Sequence, residues 1–482
     1  MAFDLKGGGE YKMIKSQSSI KNILYACFKY LASRFKRRQK GHLNYSIWGL
    51  NVNERGHLVV GGCDCVDLVR EYGTPLHVVD KSLLQKNYNE FHESLKSHNI
   101  DFEIYYSYKT NPVPGIIQVL HECGAGAEVI SPYELWLAVK LGVSPDLILY
   151  NGPNKPDEGL KFAIEKKIKM VNINSFSEIE KIIRISKKLG LRPKVGVRIC
   201  PNIGWGSQFG FKIKSGEAYK AFEELSKSDW LEIVGIHVHL GSGIKNTSVY
   251  EIAIRNIFTL ISEIKDRLGV CLKYLNLGGG FGVSTVKVFD RIESRLNHIF
   301  NIPYRPPDIT RTPSIREFVS KIVTKVQEEC EKYGLKSPVL LFEPGRAITS
   351  NTQILLARVG DLKKESNGSK IAILDAGINI AYPTSWEYHE IFLANKMSSN
   401  RDEVYSVAGP ICTPSDLLYK SKRLPLLNLG DIVSIMDSGA YFISFSNNFS
   451  FPRPAVIMVS EGKHYVVREK ENYEDMISLD NF

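Results

Sequence analysis

The residues of this sequence that could carry chemistry stand at the ends of short apolar runs. In chain order they are Lys109, Glu128, Asn151, Arg198, His239, the glycine triplet 278–280 and the run 343–346. Lys109 closes an apolar run, so its stem should be buried; a desolvated lysine has a lowered pKa and can form a Schiff base, whereas a surface lysine does not. Glycines after a strand expose backbone N–H groups that suit a phosphate, although glycine triplets also form plain turns. The whole set predicts a pocket for an anionic aromatic group.

Two of these positions have more than one interpretation. His237 and His239 are two residues apart, so in a strand both imidazoles would face the same side. They could form a metal pair, although no third ligand is evident, or one ring could stack on a bound ligand. Glu343 could be a structural acid, or it could keep a pyridine nitrogen protonated.

An alternation of apolar runs and amphipathic segments would position these residues. The predicted strands are 76–80, 103–109, 147–151, 169–174, 194–199, 233–240, 274–280 and 339–345. The predicted helices include 133–142, 157–166, 176–190, 215–227, 249–269 and 315–334. Repeated strand–helix units form a parallel sheet, and eight units suggest closure. The sequence therefore predicts a (β/α)8 TIM-like barrel over 76–348, with its chemistry at the carboxyl ends of the strands.

After residue 348 the pattern changes to short runs rich in β-branched residues and separated by turn residues. This pattern predicts an antiparallel β domain over 349–482, which the β segment 46–75 would join. The fold class is therefore α/β, a barrel plus a C-terminal antiparallel β domain. Residues 283–314, with their Pro and Arg content, read as a long loop insertion.

The formal net charge of +10 is concentrated in a basic N-terminal extension, residues 1–45. Residues 1–40 hold ten Lys or Arg and two acids, whereas the rest of the chain holds 52 basic and 50 acidic residues. A nucleic-acid-binding body is therefore not expected. The eight scattered cysteines indicate reduced thiols in a cytoplasmic protein. Cys63 and Cys65 are a weak metal signal, and no metal is predicted.

The extension contains one amphipathic stretch, in which Ser19 could cap a helix. Its apolar face would consist of Ile20, Ile23, Leu24, Cys27, Leu31 and Phe35. A membrane-surface helix or a partner-binding arm is one interpretation, and a loosely packed extension is the favoured one. Lys29 interrupts the apolar run, which argues against a signal peptide. No stretch reaches the ~20 apolar residues that a membrane span needs.

Six motifs occur in a fixed order along the chain. They are YYSYKTN (105–111), HVHLGSG (237–243), LGGGFG (277–282), EPGR (343–346), GPICTPSD (409–416) and GDIVSIMDSGAY (430–441), with GTPLHVVD (73–80) and GAEVISPYEL (126–135) in addition. Together they resemble the fold-type III pyridoxal-phosphate decarboxylases, the group of diaminopimelate, ornithine and arginine decarboxylases. The chain is most similar to the diaminopimelate decarboxylases, and the resemblance spans residues 46–475.

The resemblance implies a pocket for pyridoxal 5'-phosphate. Lys109 would hold the cofactor as a Schiff base, and His239 would stack on its ring. Glu343 would pair with the pyridine nitrogen, with Glu128 and Arg198 nearby as orienting partners. The other cofactor-binding residues, most of them at the phosphate, would be Ser242, Gly279, Gly280, Gly345, Arg346 and Tyr441.

The resemblance also implies a head-to-tail homodimer with shared sites. Cys412 would come from the other subunit and reprotonate the carbanion left by carbon dioxide. A buried core thiol is the alternative interpretation of Cys412, but GPxC followed by Asp416 fits the family pattern.

The departures from the family pattern fall in the substrate pocket, whose expected residues are Tyr382, Trp386, Thr413 and Asp416. Tyr382 replaces an arginine, Trp386 a tyrosine and Thr413 a glutamate of the usual pattern. A guanidinium and a carboxylate that would bind the charged groups at the distal end of the substrate are therefore missing, and their loss is hard to compensate. We expect a substrate other than plain meso-diaminopimelate, such as a carrier- or siderophore-linked amino acid. A true diaminopimelate decarboxylase of lysine biosynthesis is the alternative.

Three other classes are less consistent with the motifs. A non-catalytic homologue would lose cofactor residues, which are all present here. An amino-acid racemase shares the barrel and the cofactor but needs a second base, and the GPxC and HVHLGSG motifs favour decarboxylation. A barrel for another phosphorylated ligand would not need Glu343 and Cys412 at their positions.

Overall fold

The computed structural model describes residues 42–206, 208–366 and 368–482, together with Cys27. The predictions for the basic extension thus fall almost entirely outside the described residues. Within the described part, no helix has the length and apolar character needed to cross a membrane.

The described residues form strands β1–β23 and helices α1–α13. The strands are β1 Asn51–Val52, β2 Leu58–Val60, β3 Cys63–Asp64, β4 Leu76–Asp80, β5 Phe102–Ser107, β6 Gly126–Val129, β7 Ile148–Tyr150, β8 Met170–Ile173, β9 Lys194–Cys200, β10 Phe211–Lys212, β11 Glu232–His237, β12 Tyr274–Asn276, β13 Lys287–Val288, β14 Val339–Phe342, β15 Gln353–Lys364, β16 Lys370–Leu374, β17 Glu387–Tyr388, β18 Ile391–Leu393, β19 Glu403–Ala408, β20 Leu417–Leu424, β21 Ile432–Ile435, β22 Ala455–Ser460 and β23 Lys463–Arg468. The helices are α1 Cys65–Tyr72, α2 Lys81–Lys96, α3 Pro114–Glu122, α4 Pro132–Lys140, α5 Asp157–Glu165, α6 Phe176–Leu189, α7 Glu217–Ser226, α8 Ser248–Leu268, α9 Arg291–Phe300, α10 Ile315–Tyr333, α11 Arg346–Thr349, α12 Ile378–Ala381 and α13 Tyr473–Ile477.

Eight parallel strands close into a barrel in the order β5-β6-β7-β8-β9-β11-β12-β14, and β14 pairs back with β5. This confirms the predicted barrel, but one strand differs from the prediction. The run 76–80 forms β4, which lies between β15 and β22 of the other sheet. The eighth barrel strand is β6, which the sequence hid because it is only four residues long and contains a glycine and a charged residue. A Cβ at Gly126 would lie 2.5 Å from the ring of Tyr105, so this glycine lets β5 and β6 approach.

The second sheet runs in the order β20-β19-β16-β15-β4-β22-β23, with β21 pairing β15 and β18 pairing β21. It is mostly antiparallel, which confirms the predicted β domain. Two pairings, β4 with β22 and β16 with β19, are parallel. The α/β fold class is thus confirmed.

The segment before the barrel packs on this second sheet through β1, β2 and β3. The Leu58 N–H donates to the Ala394 carbonyl at 2.8 Å. The indole N–H of buried Trp48 donates to Asp437 Oδ2 at 3.1 Å. Both contacts tie residues 46–75 to the C-terminal part of the chain, as the sequence predicts, although the exact domain boundaries stay a prediction.

The stretch 283–314, which the sequence predicted to be a loop, contains β13 and α9. Asp290 caps α9 by accepting the backbone N–H of Glu293 at 2.7 Å. The rings of Phe289 and Tyr304 stack with their centroids 3.6 Å apart, which holds the insertion on the C-terminal domain's apolar core. The prolines that follow dominated the sequence interpretation and hid this helix.

Candidate active site

Lys109 lies in a 3-10 turn directly after β5, at the barrel mouth. Its Nζ donates to Ser107 Oγ at 2.7 Å and to Glu128 Oε2 at 2.5 Å. Burial lowers the pKa of Lys109, but the carboxylates of Glu128 and Glu343 outweigh burial, and the net direction is upward. The lowered pKa predicted from the sequence was therefore wrong, because that argument counted burial and not the acids contributed by other strands.

A chain of buried polar groups crosses the barrel mouth from β6 to β8. The Asn151 amide donates to Glu128 Oε1 at 2.9 Å and to Glu343 Oε1 at 2.8 Å. Its oxygen accepts from Asn172 Nδ2 at 2.7 Å. This network fixes both carboxylates relative to Lys109. Asn172 lies inside an apolar run and belongs to no motif, so its role in this network could not be predicted from the sequence.

The two oxygens of Glu343 have different surroundings. Oε1 accepts from both Asn151 and Asn276, the latter at 2.7 Å. Oε2 lies 3.5 Å from His237 Nε2 and has no amide donor. Burial raises the pKa of Glu343, but His237, Lys109 and the Asn151 hydrogen bond outweigh it, so the pKa lies well below its ordinary value. Glu343 is therefore an ionised carboxylate with one saturated oxygen and one open oxygen.

His237 and His239 have separate surroundings, so they do not act as a pair. His237 is buried against Glu343, a role that only the His-x-His spacing could have suggested. His239 Nδ1 accepts the Gly279 N–H at 3.4 Å, and its ring lies 5.6 Å from that of Trp205. Burial and the charge of Lys109 lower the pKa of His239 to about 3, so the ring is neutral. Among the described residues, no three metal-binding side chains cluster.

Arg198 projects from β9 and is buried. Its guanidinium lies 4.4 Å from the centre of the Phe209 ring. Burial lowers its pKa, and the negative charges of Glu343 and Glu128 partly oppose that shift. Arg198 thus contributes a positive charge near the two acids without a direct ion pair.

Glycines let two loops at the barrel mouth approach one another. A Cβ at Gly279 would lie 2.1 Å from the Glu343 carbonyl oxygen, and one at Gly280 would lie 2.2 Å from the Gly241 oxygen. Gly280 also has φ of +96°, which glycine adopts without strain. Half-buried Ser242 follows Gly241 in this turn. The two loops therefore meet through backbone atoms and form a cradle that side chains would fill.

Arg346 begins α11 and contacts the C-terminal domain. The preceding Gly345 lies so close to Thr110 that a Cβ would be 2.0 Å from its hydroxyl oxygen. The terminal nitrogens of Arg346 donate to the two carboxylate oxygens of Glu387 at 2.9 and 2.6 Å. Its guanidinium lies 5.2 Å from the centre of the Tyr441 ring. The residue expected at a phosphate thus has both terminal nitrogens bound to a protein carboxylate.

The C-terminal domain also supports the turn that carries Lys109. The Tyr441 N–H donates to the Thr110 carbonyl at 2.8 Å, and the Ser444 hydroxyl donates to the Lys109 carbonyl at 2.6 Å. Tyr441 adopts φ of +72°, which aims its segment at the turn. Ser444 was missed because it follows the last recognised motif.

An aromatic cluster lies beside Tyr441. It consists of Tyr382, Trp386 and Phe445, with ring centroids 4.9 Å apart for Tyr382–Trp386, 5.7 Å for Trp386–Phe445 and 5.8 Å for Tyr382–Phe445. The structure thus brings together the first two as predicted and adds Phe445. Tyr382 and Phe445 are 43% and 47% exposed.

The loop 409–416 presents Cys412 on the surface of the single chain, with half-buried Thr413 beside it. Buried Asp416 accepts backbone N–H groups from Ile378 at 2.7 Å and Ile411 at 2.6 Å. Its carboxylate is therefore occupied in shaping the loop, and the substrate contact expected from the sequence has no open oxygen behind it.

Comparison with known proteins defines the class. The sequence model of a family described as pyridoxal-dependent decarboxylase, pyridoxal binding domain, matches residues 81–350. The chain belongs to the pyridoxal-dependent decarboxylases and is a carboxy-lyase.

Individual relatives narrow the comparison. The diaminopimelate decarboxylase of Methanothermobacter thermautotrophicus is 33% identical over 447 residues, which cover 90% of this chain and 97% of that protein. That of Bacillus subtilis is 30% identical and covers 89% and 96%. The crystal structure of diaminopimelate decarboxylase from M. jannaschii has a TM-score of 0.80 at 28% identity and covers 90% of this chain and 98% of that one.

Pyridoxal phosphate is the cofactor, and the barrel mouth fits it. Lys109 offers a primary amine, and Glu343 offers an ionised carboxylate with an open oxygen. Gly279 and Gly280 offer a backbone cradle in which a Cβ would clash. These groups suit an aldehyde, a pyridine nitrogen and a phosphate respectively.

Proposed function

We propose that the chain removes a carboxyl group from an amino acid, with diaminopimelate as the first candidate substrate, and that Lys109 holds the cofactor. One observation carries the proposal: Lys109 Nζ lies at the barrel mouth within 2.5 Å of Glu128, in a network that also fixes Glu343. The relatives named above are diaminopimelate decarboxylases, which makes this substrate the first to test.

Each residue of the barrel mouth has an assigned task. Glu343 Oε2 would accept a hydrogen bond from the protonated pyridine nitrogen and so keep it protonated, while Asn151 and Asn276 hold Oε1. His239 would stack on the cofactor ring as a neutral imidazole, since burial and the charge of Lys109 lower its pKa. When bound, pyridoxal phosphate supplies the electron sink for the broken carbon–carboxyl bond.

We propose that uncharged hydrogen-bond donors bind the cofactor phosphate. The backbone of Gly280 and Gly345 and the hydroxyls of Ser242 and Tyr441 lie on loops that meet at the mouth. Glu387 competes with a phosphate for Arg346, so we give Arg346 no leading part there. Glu128 orients the Lys109 amine, and Arg198 adds positive charge near the acids.

The site is proposed to be shared in a head-to-tail dimer, with Cys412 returning a proton to the α-carbon in the partner's site. Its surface exposure in the single chain suits that task. Lys109→Ala and Cys412→Ala proteins would each be inactive. After mixing and reassociation, about half of the dimers should be mixed with one intact site, so about a quarter of wild-type activity should return. No recovery would mean that Lys109 and Cys412 act within one subunit.

Carbon dioxide release by the cofactor-loaded protein tests the function. The panel contains meso-diaminopimelate, lysine, ornithine, arginine and acylated lysine, with Lys109→Ala as the control. Release from meso-diaminopimelate that Lys109→Ala abolishes supports the proposal. Absence of release from every compound, with the cofactor bound, would refute it.

A second candidate is favoured by the cluster of Tyr382, Trp386 and Phe445. Three aromatic rings within 5.8 Å of one another form an apolar wall, and Thr413 adds no charge. Such a wall suits an amino acid whose distal end is acylated or linked to a carrier. Release from acylated lysine but not from meso-diaminopimelate would favour this candidate.

A further inference from the structure

Arg346 and Glu387 form a buried ion pair between the barrel and the C-terminal domain. The two hydrogen bonds of 2.9 and 2.6 Å run in parallel from the guanidinium to the carboxylate. The side chains are only 8% and 5% exposed. A bidentate pair of this kind is the strongest contact that an arginine makes with a carboxylate.

The surrounding charges keep Glu387 ionised. His389 Nε2 lies 3.6 Å from Glu387 Oε2. Burial raises the pKa of Glu387, but His389 and Arg346 outweigh it and bring the pKa to about 2. Lys245 and Asp437 are the other charged groups near Arg346, one of each sign. The pair is therefore a full positive and a full negative charge that cancel.

The pair adjoins the aromatic cluster of Tyr382, Trp386 and Phe445. Arg346 lies over Tyr441 at 5.2 Å, and the Tyr441 ring is 6.1 Å from that of Phe445. Glu387 follows Trp386 directly in the sequence. The wall expected to receive the distal end of a substrate thus contains a guanidinium whose two terminal nitrogens are bound to an internal carboxylate and whose buried Nε has no hydrogen-bond partner.

We propose that Glu387 determines specificity at this wall by excluding a second carboxylate on the substrate. A ligand carboxylate that bound the terminal nitrogens of Arg346 would displace Glu387, whose charge would then be buried without a partner. A ligand carboxylate that bound the free Nε of Arg346 would lie beside the like charge of Glu387. The preferred substrate is therefore an amino acid with no carboxylate at its distal end. This inference rests on the proposed decarboxylase activity and chooses between its two candidate substrates.

Two compounds isolate the carboxylate, because meso-diaminopimelate is lysine with one additional carboxyl group. We expect the wild-type protein to have a higher kcat/KM with lysine or acylated lysine than with meso-diaminopimelate. Glu387→Gln should raise kcat/KM for meso-diaminopimelate by about 10- to 100-fold, as expected for one freed charge-assisted contact. The change should lie in KM, since Arg346 would bind the distal end and not the reacting carbon.

Three further variants separate specificity from a loss of structure. Glu387→Asp keeps the charge but shortens the reach and should give a smaller gain. Glu387→Gln combined with Arg346→Gln should give no gain, since no guanidinium remains. Glu390→Gln removes another buried carboxylate, which pairs with Arg401 at 3.0 Å, and should leave the ratio of the two substrates unchanged.

Calorimetry with pimelate, a dicarboxylate without amino groups, tests the same contact without turnover. Binding that appears in Glu387→Gln and not in wild type supports the inference. Equal binding, or an unchanged substrate ratio, overturns it while leaving decarboxylation intact. Tighter cofactor binding by Glu387→Gln would overturn it too, since Arg346 would then face the phosphate. Loss of all carbon dioxide release would instead strike the proposed function, and the pimelate result would still stand.

Discussion

Replacing Glu343 by Gln should separate the catalytic role of this residue from its structural one. In the protein Oε1 accepts two amide hydrogen bonds, from Asn151 at 2.8 Å and Asn276 at 2.7 Å. These two donors would orient the new glutamine side chain so that its carbonyl oxygen takes the place of Oε1. The amide nitrogen would then take the place of Oε2, facing His237. The variant should therefore fold, because the Asn151 and Asn276 amides both keep their acceptor.

The catalytic loss can be worked out from the single open oxygen. Only Oε2 is free to accept a hydrogen bond from the protonated pyridine nitrogen, so Glu343→Gln removes one charge-assisted hydrogen bond worth about 1.5–3 kcal/mol. At about 1.4 kcal/mol per tenfold, kcat should fall by about 10- to 150-fold. Carbon dioxide release at saturating substrate measures kcat, and the absorbance of bound cofactor verifies occupancy. A fully loaded variant that keeps more than half of the wild-type kcat would refute the reasoning.

Glu178→Gln provides the opposite control. Glu178 is also a buried barrel carboxylate, but it pairs with fully buried Lys155 at 2.6 Å. Its loss leaves an unpaired buried ammonium, which costs about 3–5 kcal/mol of the free energy of unfolding. We expect Glu178→Gln to lower the midpoint temperature of thermal unfolding and to change the kcat of the folded protein little. The same pattern for Glu343→Gln would show that its role is structural.

Three other changes give measurable outcomes. Gly279→Ala would put a Cβ 2.1 Å from the Glu343 carbonyl oxygen, so chemical denaturation should show a loss of about 1–3 kcal/mol and titration a weaker cofactor affinity. Burial lowers the pKa of His77 to about 3, so the unfolded chain binds the proton more tightly. The contribution of neutral His77 to the free energy of unfolding is therefore complete above pH ~6.5 and is lost as the pH falls. His77→Leu should reduce the fall in the free energy of unfolding between pH 7 and 5 by about 2 kcal/mol. Trp48→Phe removes the indole donor to Asp437 and should lower the free energy of unfolding by about 1–3 kcal/mol.

Gly360→Ala meets only a carbonyl oxygen at an ordinary 3.7 Å, so it should bind cofactor like wild type. If Gly279→Ala bound cofactor equally well, the two loops would not need their close approach. An unchanged pH profile for His77→Leu would mean that folding does not lower the pKa of His77. Unaltered stability of Trp48→Phe would mean that residues 46–75 do not depend on that contact.

The fold class followed from the sequence because each strand–helix unit carries its own local pattern. Six predicted helices, from 133–142 to 315–334, form within two residues of the predicted ends. Capping explains this accuracy: Ser314 and Glu317 form a reciprocal capping box at the start of α10. The local sequence pattern could not show which strands belong to the barrel. β4 is an apolar run like the barrel strands, and only its pairing with β15 and β22 assigns it elsewhere.

The site residues that directly follow a strand end could be predicted from the sequence, and the site residues at other positions could not. Lys109 and Glu343 stand at such ends, and the resemblance supplied their expected roles. Asn276 and Glu387 were missed, and the contact of His237 with Glu343 was not foreseen, because their importance comes from what lies opposite them after folding. The roles of the site residues stay predictions until the variants above are measured.

The sequence by itself determined the repeating units, the strand ends that carry reactive groups and the family. These properties depend on residues near one another in the chain, where side-chain type and spacing act directly. Only the tertiary structure decided the electrostatics: it raised the pKa of Lys109 where burial alone would lower it, and it occupied Arg346 with Glu387. Charges interact through distance in space, and residues 346 and 387 become neighbours only after the barrel and the C-terminal sheet have packed together.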